Sequence, residues 1–267
     1  MKLLLTGAAP WCVGSYGKPM RYIIPRLTEA GHQCAIATFY GFGGGVVDMD
    51  LEGAPVRLYP IVRDKYLNDI IQNHAQDWEA DAVISFSDAW PLQHWGFSQG
   101  FAWLPWMPID TEPVNQKVLT ALDGAFTPMV YSKWGTEQLK AAGWPTAKWV
   151  PLGVDLDVYK PMPKGPAKQA LGFEPSTFIV GMVAANASQP SRKSFPEVLQ
   201  AWRRWLNGGG AGKLYLHTTI TPSRNIGVDF QAVLAQLDLE WSTIADPNEE
   251  RFEQADVIFS NQYQMWT

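Results

Sequence analysis

Residues 184–205 read AANASQPSRKSFPEVLQAWRRW, the end of a strand, a basic loop and the start of a helix. Just upstream, Thr177 to Ala185 (TFIVGMVAA) is a short apolar run rich in β-branched residues, the pattern of a strand buried on both faces. Asn186 to Ser191 are polar and loop-forming. Phe195, Val198, Leu199, Trp202 and Trp205 then recur every three or four residues, one face of an amphipathic helix with Glu197, Arg203 and Arg204 off it. Arg192 and Lys193 therefore stand at a strand-to-helix turn. In a parallel sheet such turns lie at the carboxyl ends of the strands, where free amides and the helix dipole favour an anion and two cations complete a diphosphate site. The competing reading is two solvated basic residues at a helix start, where cations are slightly unfavourable.

The same alternation extends in both directions. Lys2 to Thr6 reads as a strand, Gly7 to Gly17 as a loop, Met20 to Ala30 as a helix stopped by Gly31, and Gln33 to Phe39 as a second strand. Strands at Val56–Tyr59, Ala82–Phe86, Trp103–Met107 and Ala125–Met129 interleave with helical patterns at Leu67–Glu79, Val114–Leu122 and Ser132–Ala142. That order predicts right-handed βαβ units and a doubly wound parallel sheet. At Val150–Lys168 the pattern breaks into VPLGVDLDVYKPMPKGPAK, with four prolines and two glycines, which reads as an interdomain linker.

Beyond it come a helix at Ala167–Leu171, the strand and helix quoted above, a strand at Lys213–Thr218, a helix at Val228–Leu237 and a last strand at Val257–Ser260. The expectation is an α/β protein of two Rossmann-like doubly wound domains, residues 1–152 and 167–267, joined by a linker at 153–166. The second, with about half the strands of the first, looks truncated. An unfinished sheet predicts an unpaired edge after Ser260, with Trp241, Phe252, Phe259, Tyr263 and Trp266 exposed around it.

Composition narrows the function. The 267 residues carry a net charge of −5, which argues against general nucleic-acid binding, so a polyanion site has to be local. Two cysteines, Cys12 and Cys34, make neither a disulfide framework nor a metal-ligand spacing. The N-terminal apolar run is too short for a signal peptide, and no stretch approaches the roughly 18 apolar residues of a spanning helix. The reading is a soluble, cytoplasmic protein without a transmembrane segment.

In the first loop, GAAPWCVGSYG, Gly14 and Gly17 precede a helix and let backbone amides approach a ligand, or serve chain reversal alone. The spacing does not match G-x-G-x-x-G, so a dinucleotide site is disfavoured. Asp88 in SFSDAW and Asp110 in MPIDTEP both follow strands, placing two carboxylates on one rim of the first sheet, where either accepts a proton from a hydroxyl or caps a turn. His217 closes the strand KLYLH at the rim of the second sheet, as a ligand contact or as a hydrogen-bonded structural residue. His32, His74 and His94 show no metal spacing, and no Ser-His-Asp order stands out.

VPLGVDLDVYKP resembles the linker of GT-B glycosyltransferases, especially glycosyltransferase family 4, where a Pro-x-Gly-Val-Asp stretch joins two Rossmann-like domains. RKSFPEVLQAW resembles that family's Arg-Lys stretch, SKWGTEQLKAAG the helix before the linker, and the glycine loop also fits. The resemblance implies transfer of a sugar from a nucleotide-sugar donor to an acceptor hydroxyl, with retention. It implies no metal and no cofactor, the nucleotide-sugar being a substrate. Arg192 and Lys193 would bind the diphosphate, with Gly14 and Gly17 lining the cleft from the other domain. Asp110 falls where relatives place a histidine near the transferred sugar, which makes it the catalytic candidate. Asn186 stands where relatives carry the arginine of a Gly-Arg pair, and His217 joins it on the donor side. The family's pair of glutamates about seven residues apart is absent, which implies that this chain alone is inactive. A non-catalytic nucleotide- or glycan-binding GT-B remnant is the alternative, and a dehydrogenase a distant third.

Overall fold

The computed structural model describes residues 1–12, 16–93, 95, 100–221, 226–244, 246 and 249–260. The chain divides into two compact units, Met1–Asp155 and Leu156–Thr267. In the first, the elements are β1 (Lys2–Ala8), α1 (Gly17–Glu29), β2 (Gln33–Tyr40), β3 (Val47–Leu51), β4 (Ala54–Tyr59), α2 (Ile71–Trp78), β5 (Ala82–Phe86), β6 (Ala102–Met107), α3 (Gln116–Ala121), β7 (Met129–Val130), α4 (Lys133–Ala141) and β8 (Lys148–Trp149). The strands lie in the order β3-β4-β2-β1-β5-β6-β7-β8, all parallel except the β3–β4 hairpin. Starting at β1, the chain winds one way as far as β3, then returns past β1 to build the other half. The order therefore reverses between β1 and β5, and the crevice outside their carboxyl ends is the place a doubly wound sheet offers a ligand.

Two layers flank the sheet. Met20 and Ile24 of α1 pack with Leu3, Leu5, Ile36 and Phe86 on one face, while Ile71 and Ala75 of α2 and Leu139 of α4 pack with Leu4, Ala35 and Val83 on the other. Both faces of β1 and β2 are buried, as continuous apolar runs require.

The second unit holds α5 (Lys164–Gln169), β9 (Ile179–Val183), α6 (Phe195–Asn207), β10 (Lys213–His217), α7 (Phe230–Gln236), β11 (Trp241–Thr243), α8 (Glu249–Gln254) and β12 (Val257–Phe259). Its described strands form an all-parallel sheet in the order β11-β12-β10-β9. The crossovers through α6 and α7 run in one direction along the sheet and that through α8 runs back. Right-handed connections then put α6 and α7 on one face and α8 on the other. The packing follows: Phe195, Leu199, Trp202, Phe230 and Leu234 cluster over Leu214 and Leu216, whereas Phe252 and Ala255 pack with Phe173, Tyr215 and Ile258.

Several expectations need correction. The TFIVGMVAA strand is not buried on both faces: among the described strands β9 is the edge of its sheet, and Val180 and Val183 are exposed. Apolar runs are shared by central strands and unprotected edges, so the sequence pattern does not separate them. The last described strand is not an unpaired edge either, since β12 lies between β10 and β11. Phe259 is fully buried and Trp241 and Phe252 half-buried, so they form no exposed aromatic surface; Tyr263 and Trp266 lie outside the described residues.

The strand expected at Ala125–Met129 is Met129–Val130, and the helix expected from Leu67 starts at Ile71, because Leu67 takes a left-handed φ of 63°. Strands β3, β8 and β11 and helix α8 were not anticipated. β3 is an exposed strand whose two-residue turn, Glu52-Gly53, has φ of 53° and 88°, as a tight hairpin requires. Among the described residues, no helix is long and apolar enough to cross a membrane.

Candidate functional site

Four aromatic rings cross the carboxyl ends of the first sheet. Tyr16, the residue before α1, meets Phe86 edge-on with centroids 5.4 Å apart, Phe86 packs on Trp106 at 4.9 Å, and Tyr131 closes the row 5.7 Å from Phe86. The row is tied to backbone: Trp106 Nε1 donates to the Val150 carbonyl at 2.7 Å and the Tyr131 hydroxyl donates to the Trp106 carbonyl at 3.0 Å. These bonds orient the Trp106 and Tyr131 rings.

Asp88 sits two residues past β5, and its Oδ2 accepts from the Tyr16 hydroxyl at 3.4 Å. No helix begins there; Asp88 precedes a bend and turn over residues 89–91. Asp110, three residues past β6, is exposed on the same rim and adds its field to Tyr16. Burial first, then the charge and hydrogen bond of Asp88, push the Tyr16 phenol up to about 12, with smaller contributions from Tyr40 and Asp110. Burial likewise raises Tyr131. Both phenols therefore stay protonated near neutrality and act as hydroxyl donors, beside carboxylates that accept. Among the described residues neither Asp88 nor Asp110 is in an ion pair.

Gly14 lies outside the described residues. Gly17 opens α1 and is buried; a Cβ there would overlap the Cys12 carbonyl, so its missing side chain serves the loop's own close approach to the helix.

In the second unit Arg192 and Lys193 are exposed in the turn between β9 and α6. Two serines shape that turn: Ser188 Oγ accepts from the Arg192 amide at 3.1 Å and Ser191 Oγ from the Phe195 amide at 3.4 Å. Ser194, at the helix start, has φ 54° and makes no side-chain cap bond. Neither cation is in an ion pair among the described residues. Two unpaired cations at a helix N-terminus oppose its dipole, a cost that a bound anion removes.

Asn186 is buried at 1% exposure, and its amide is spent on backbone: Oδ1 accepts from the Val228 N–H at 2.7 Å and Nδ2 donates to the Val228 carbonyl at 2.8 Å. Any effect of Asn186 on a ligand runs through the 226–228 loop it holds. His217 ends β10, its Nδ1 3.0 Å from the Tyr215 hydroxyl, and its carbonyl accepts from the Ala184 amide at 3.3 Å. Strand alternation puts its ring on the Tyr215 face, opposite the face that α6 covers.

Sequence reasoning passed over Tyr16, Tyr131, Thr218 and Thr219. The hydroxyls of Thr218 and Thr219, just past β10, are buried with no partner among the described residues. A tyrosine between two glycines ahead of a helix was the available signal for Tyr16; nothing local marks the others.

No family model matches the sequence, and no curated protein matches it significantly. Solved structures do match in shape. A trehalose-6-phosphate structure from E. coli bound with UDP-2-fluoro glucose superposes with a TM-score of 0.60 at 12% identity, over 99% of this chain and 74% of that one. The fold is GT-B. A glycosyltransferase from Rickettsia africae matches at 0.55 and 12%, over 98% and 68%. A UDP-GlcNAc 2-epimerase from Neisseria meningitidis bound to UDP-GlcNAc matches at 0.58 and 8%, over 98% and 73%. GT-B proteins thus include an epimerase as well as transferases, and at these identities the likeness establishes the fold; family 4 is not singled out by it.

Proposed function

We propose that the chain is a glycosyltransferase that binds a nucleotide-sugar through its second unit, the reaction being transfer of the sugar, with retention, to an acceptor hydroxyl. Without the glutamate pair, this chain by itself should bind the donor weakly and show little or no transfer. The observation that carries the reading is the pair Arg192 and Lys193, exposed and without acidic partners among the described residues at the start of α6, where β9 ends. A departing nucleoside diphosphate gains negative charge, and fixed cations at a helix N-terminus stabilise that charge more in the transition state than in the ground state. The hydroxyls of Thr218 and Thr219 on the same rim, unpartnered among the described residues, support a polar ligand there, because a buried polar group without a partner is costly and calls for one. On the first unit, Asp110 is the group assigned to the reacting hydroxyl, with Asp88 and Tyr16 beside it.

Calorimetry with UDP tests the donor half. Changing Arg192 and Lys193 together to alanine should weaken binding by about 3–6 kcal/mol, since each charge-assisted hydrogen bond contributes about 1.5–3. Unchanged affinity in a folded variant would sink the assignment. Incubating the native protein with UDP-sugars and following anomeric signals by NMR then separates transfer with retention from epimerisation of the donor.

A further inference from the structure

A second feature of the first unit's rim is a groove of about 370 Å³ lined by Asp64, Asn68, Asp69, Ile71, Gln72, Gln93 and Trp95. Its volume falls in the range of about 300–1,000 Å³ common to small-molecule sites. It lies between the loop leaving β4 and the loop leaving β5, both at the carboxyl ends of their strands.

Asn68 joins these loops. Its Oδ1 accepts from the Gln93 amide at 2.8 Å and from Trp95 Nε1 at 2.9 Å, while its Nδ2 donates to the Pro91 carbonyl at 3.0 Å and Asp64 Oδ2 at 3.3 Å. Leu67, fully buried beside it, is held at φ 63°, a conformation that a branched side chain takes only when its surroundings enforce it. The groove is therefore built in advance of any ligand.

What remains for a ligand is chemically narrow. Asp64 and Asp69 each accept one loop amide, from Tyr66 and Arg63, and keep lone pairs for a further donor, the exposed amides of Gln72 and Gln93 both donate and accept, and among the described residues no cation lines the groove. Asp64 and Asp69 repel phosphates and carboxylates, whereas carboxylate and amide groups side by side suit the neighbouring hydroxyls of an uncharged sugar. The geometry points to a binding site for a neutral saccharide. Its description as an acceptor site rests on the transferase reading; the binding itself does not.

Saturation-transfer NMR on the full chain, with maltose, lactose and trehalose as neutral probes and glucose 6-phosphate as the anionic one, tests this. At least one neutral disaccharide should bind and glucose 6-phosphate should not. Replacing Gln72 and Gln93 with alanine should weaken that disaccharide about tenfold, each lost hydrogen bond being worth roughly half a decade to a decade of affinity. UDP affinity should not change. Asp69→Asn, which keeps the shape and removes a charge, should let glucose 6-phosphate bind measurably. The proposal is overturned if no neutral probe binds, if glucose 6-phosphate binds the native chain as well as they do, or if the Gln72/Gln93 variant binds like the native chain. Loss of UDP binding alone would instead count against the donor site.

Discussion

The Tyr16 hydroxyl donates to the Asp88 carboxylate across 3.4 Å at the point where the strand order of the first sheet reverses, tying the start of α1 to the end of β5. The bond is long and half-buried, so Tyr16→Phe should cost no more than about 0.5–1.5 kcal/mol of stability. The sharper test is titration. With the phenol pushed up to about 12 by burial and then by Asp88, changing Asp88 to Asn removes the charge and should bring Tyr16 to a lower pH in a near-ultraviolet absorbance titration. Difference spectra against Tyr16→Phe isolate this phenol from the others. No movement would mean that the pair is not electrostatically coupled.

Asn186→Ala should be far more damaging. It strands a buried N–H and carbonyl of Val228, and unsatisfied buried groups cost about 1–3 kcal/mol each, giving about 2–6 kcal/mol in urea unfolding. Asn186→Asp should rescue little at neutral pH, because a carboxylate still accepts from the Val228 amide but faces its carbonyl with like charge. A variant as stable as the native chain would return Asn186 to the pool of free ligand contacts.

These two sites show where sequence reading works and where it stops. The strand-turn-helix around Arg192 was legible because helical spacing from Phe195 to Trp202 and an apolar run before it are local patterns. The rim position of Asp88 and Asp110 followed from strand order alone. Tyr16, by contrast, meets Asp88 across 72 residues, and Asn186 meets Val228 across 42. Nothing local encodes those pairings, so Asn186 read as a loop residue facing a ligand. β3 was missed for a related reason: its pairing with β4 places Arg57 opposite Asp48 at 2.8 Å on an exposed face, and an exposed strand carries no apolar run.

His74 predicts an acid-sensitive fold. The ring stacks on Tyr59 with centroids 4.7 Å apart, and Nε2, 3.0 Å from the Pro60 carbonyl, must carry the proton because a carbonyl only accepts. Burial lowers its pKa, opposed by the Pro60 bond and by Asp77 and Asp69. Since the folded value lies below the unfolded value of about 6.5, the unfolded chain takes up the proton first. The stability His74 contributes is complete above about pH 6.5 and is lost as pH falls through the folded pKa. Thermal melts should therefore drop as pH is lowered from about 6.5 toward the folded pKa, and His74→Gln should flatten the slope over that window. An unchanged slope would assign the acid sensitivity to other groups.

The edge of the second sheet predicts self-association. Between Glu174 and Arg192 no residue is charged, β9 has a neighbour on one side only among the described residues, and Val183 is 75% exposed. Strand edges are usually blunted by lysine, proline or a bulge, because open backbone groups beside apolar side chains template pairing with another chain. Val183→Lys places a charge on that edge at a position that packs against little, so melting should stay within about 0.5 kcal/mol of the native chain. The native protein should show concentration-dependent association in sedimentation, and the lysine variant should sediment as a monomer over the same range. Association that persists in Val183→Lys would place the contact elsewhere. A marked loss of stability would show that Val183 is covered in solution and that β9 is not the open edge it is here.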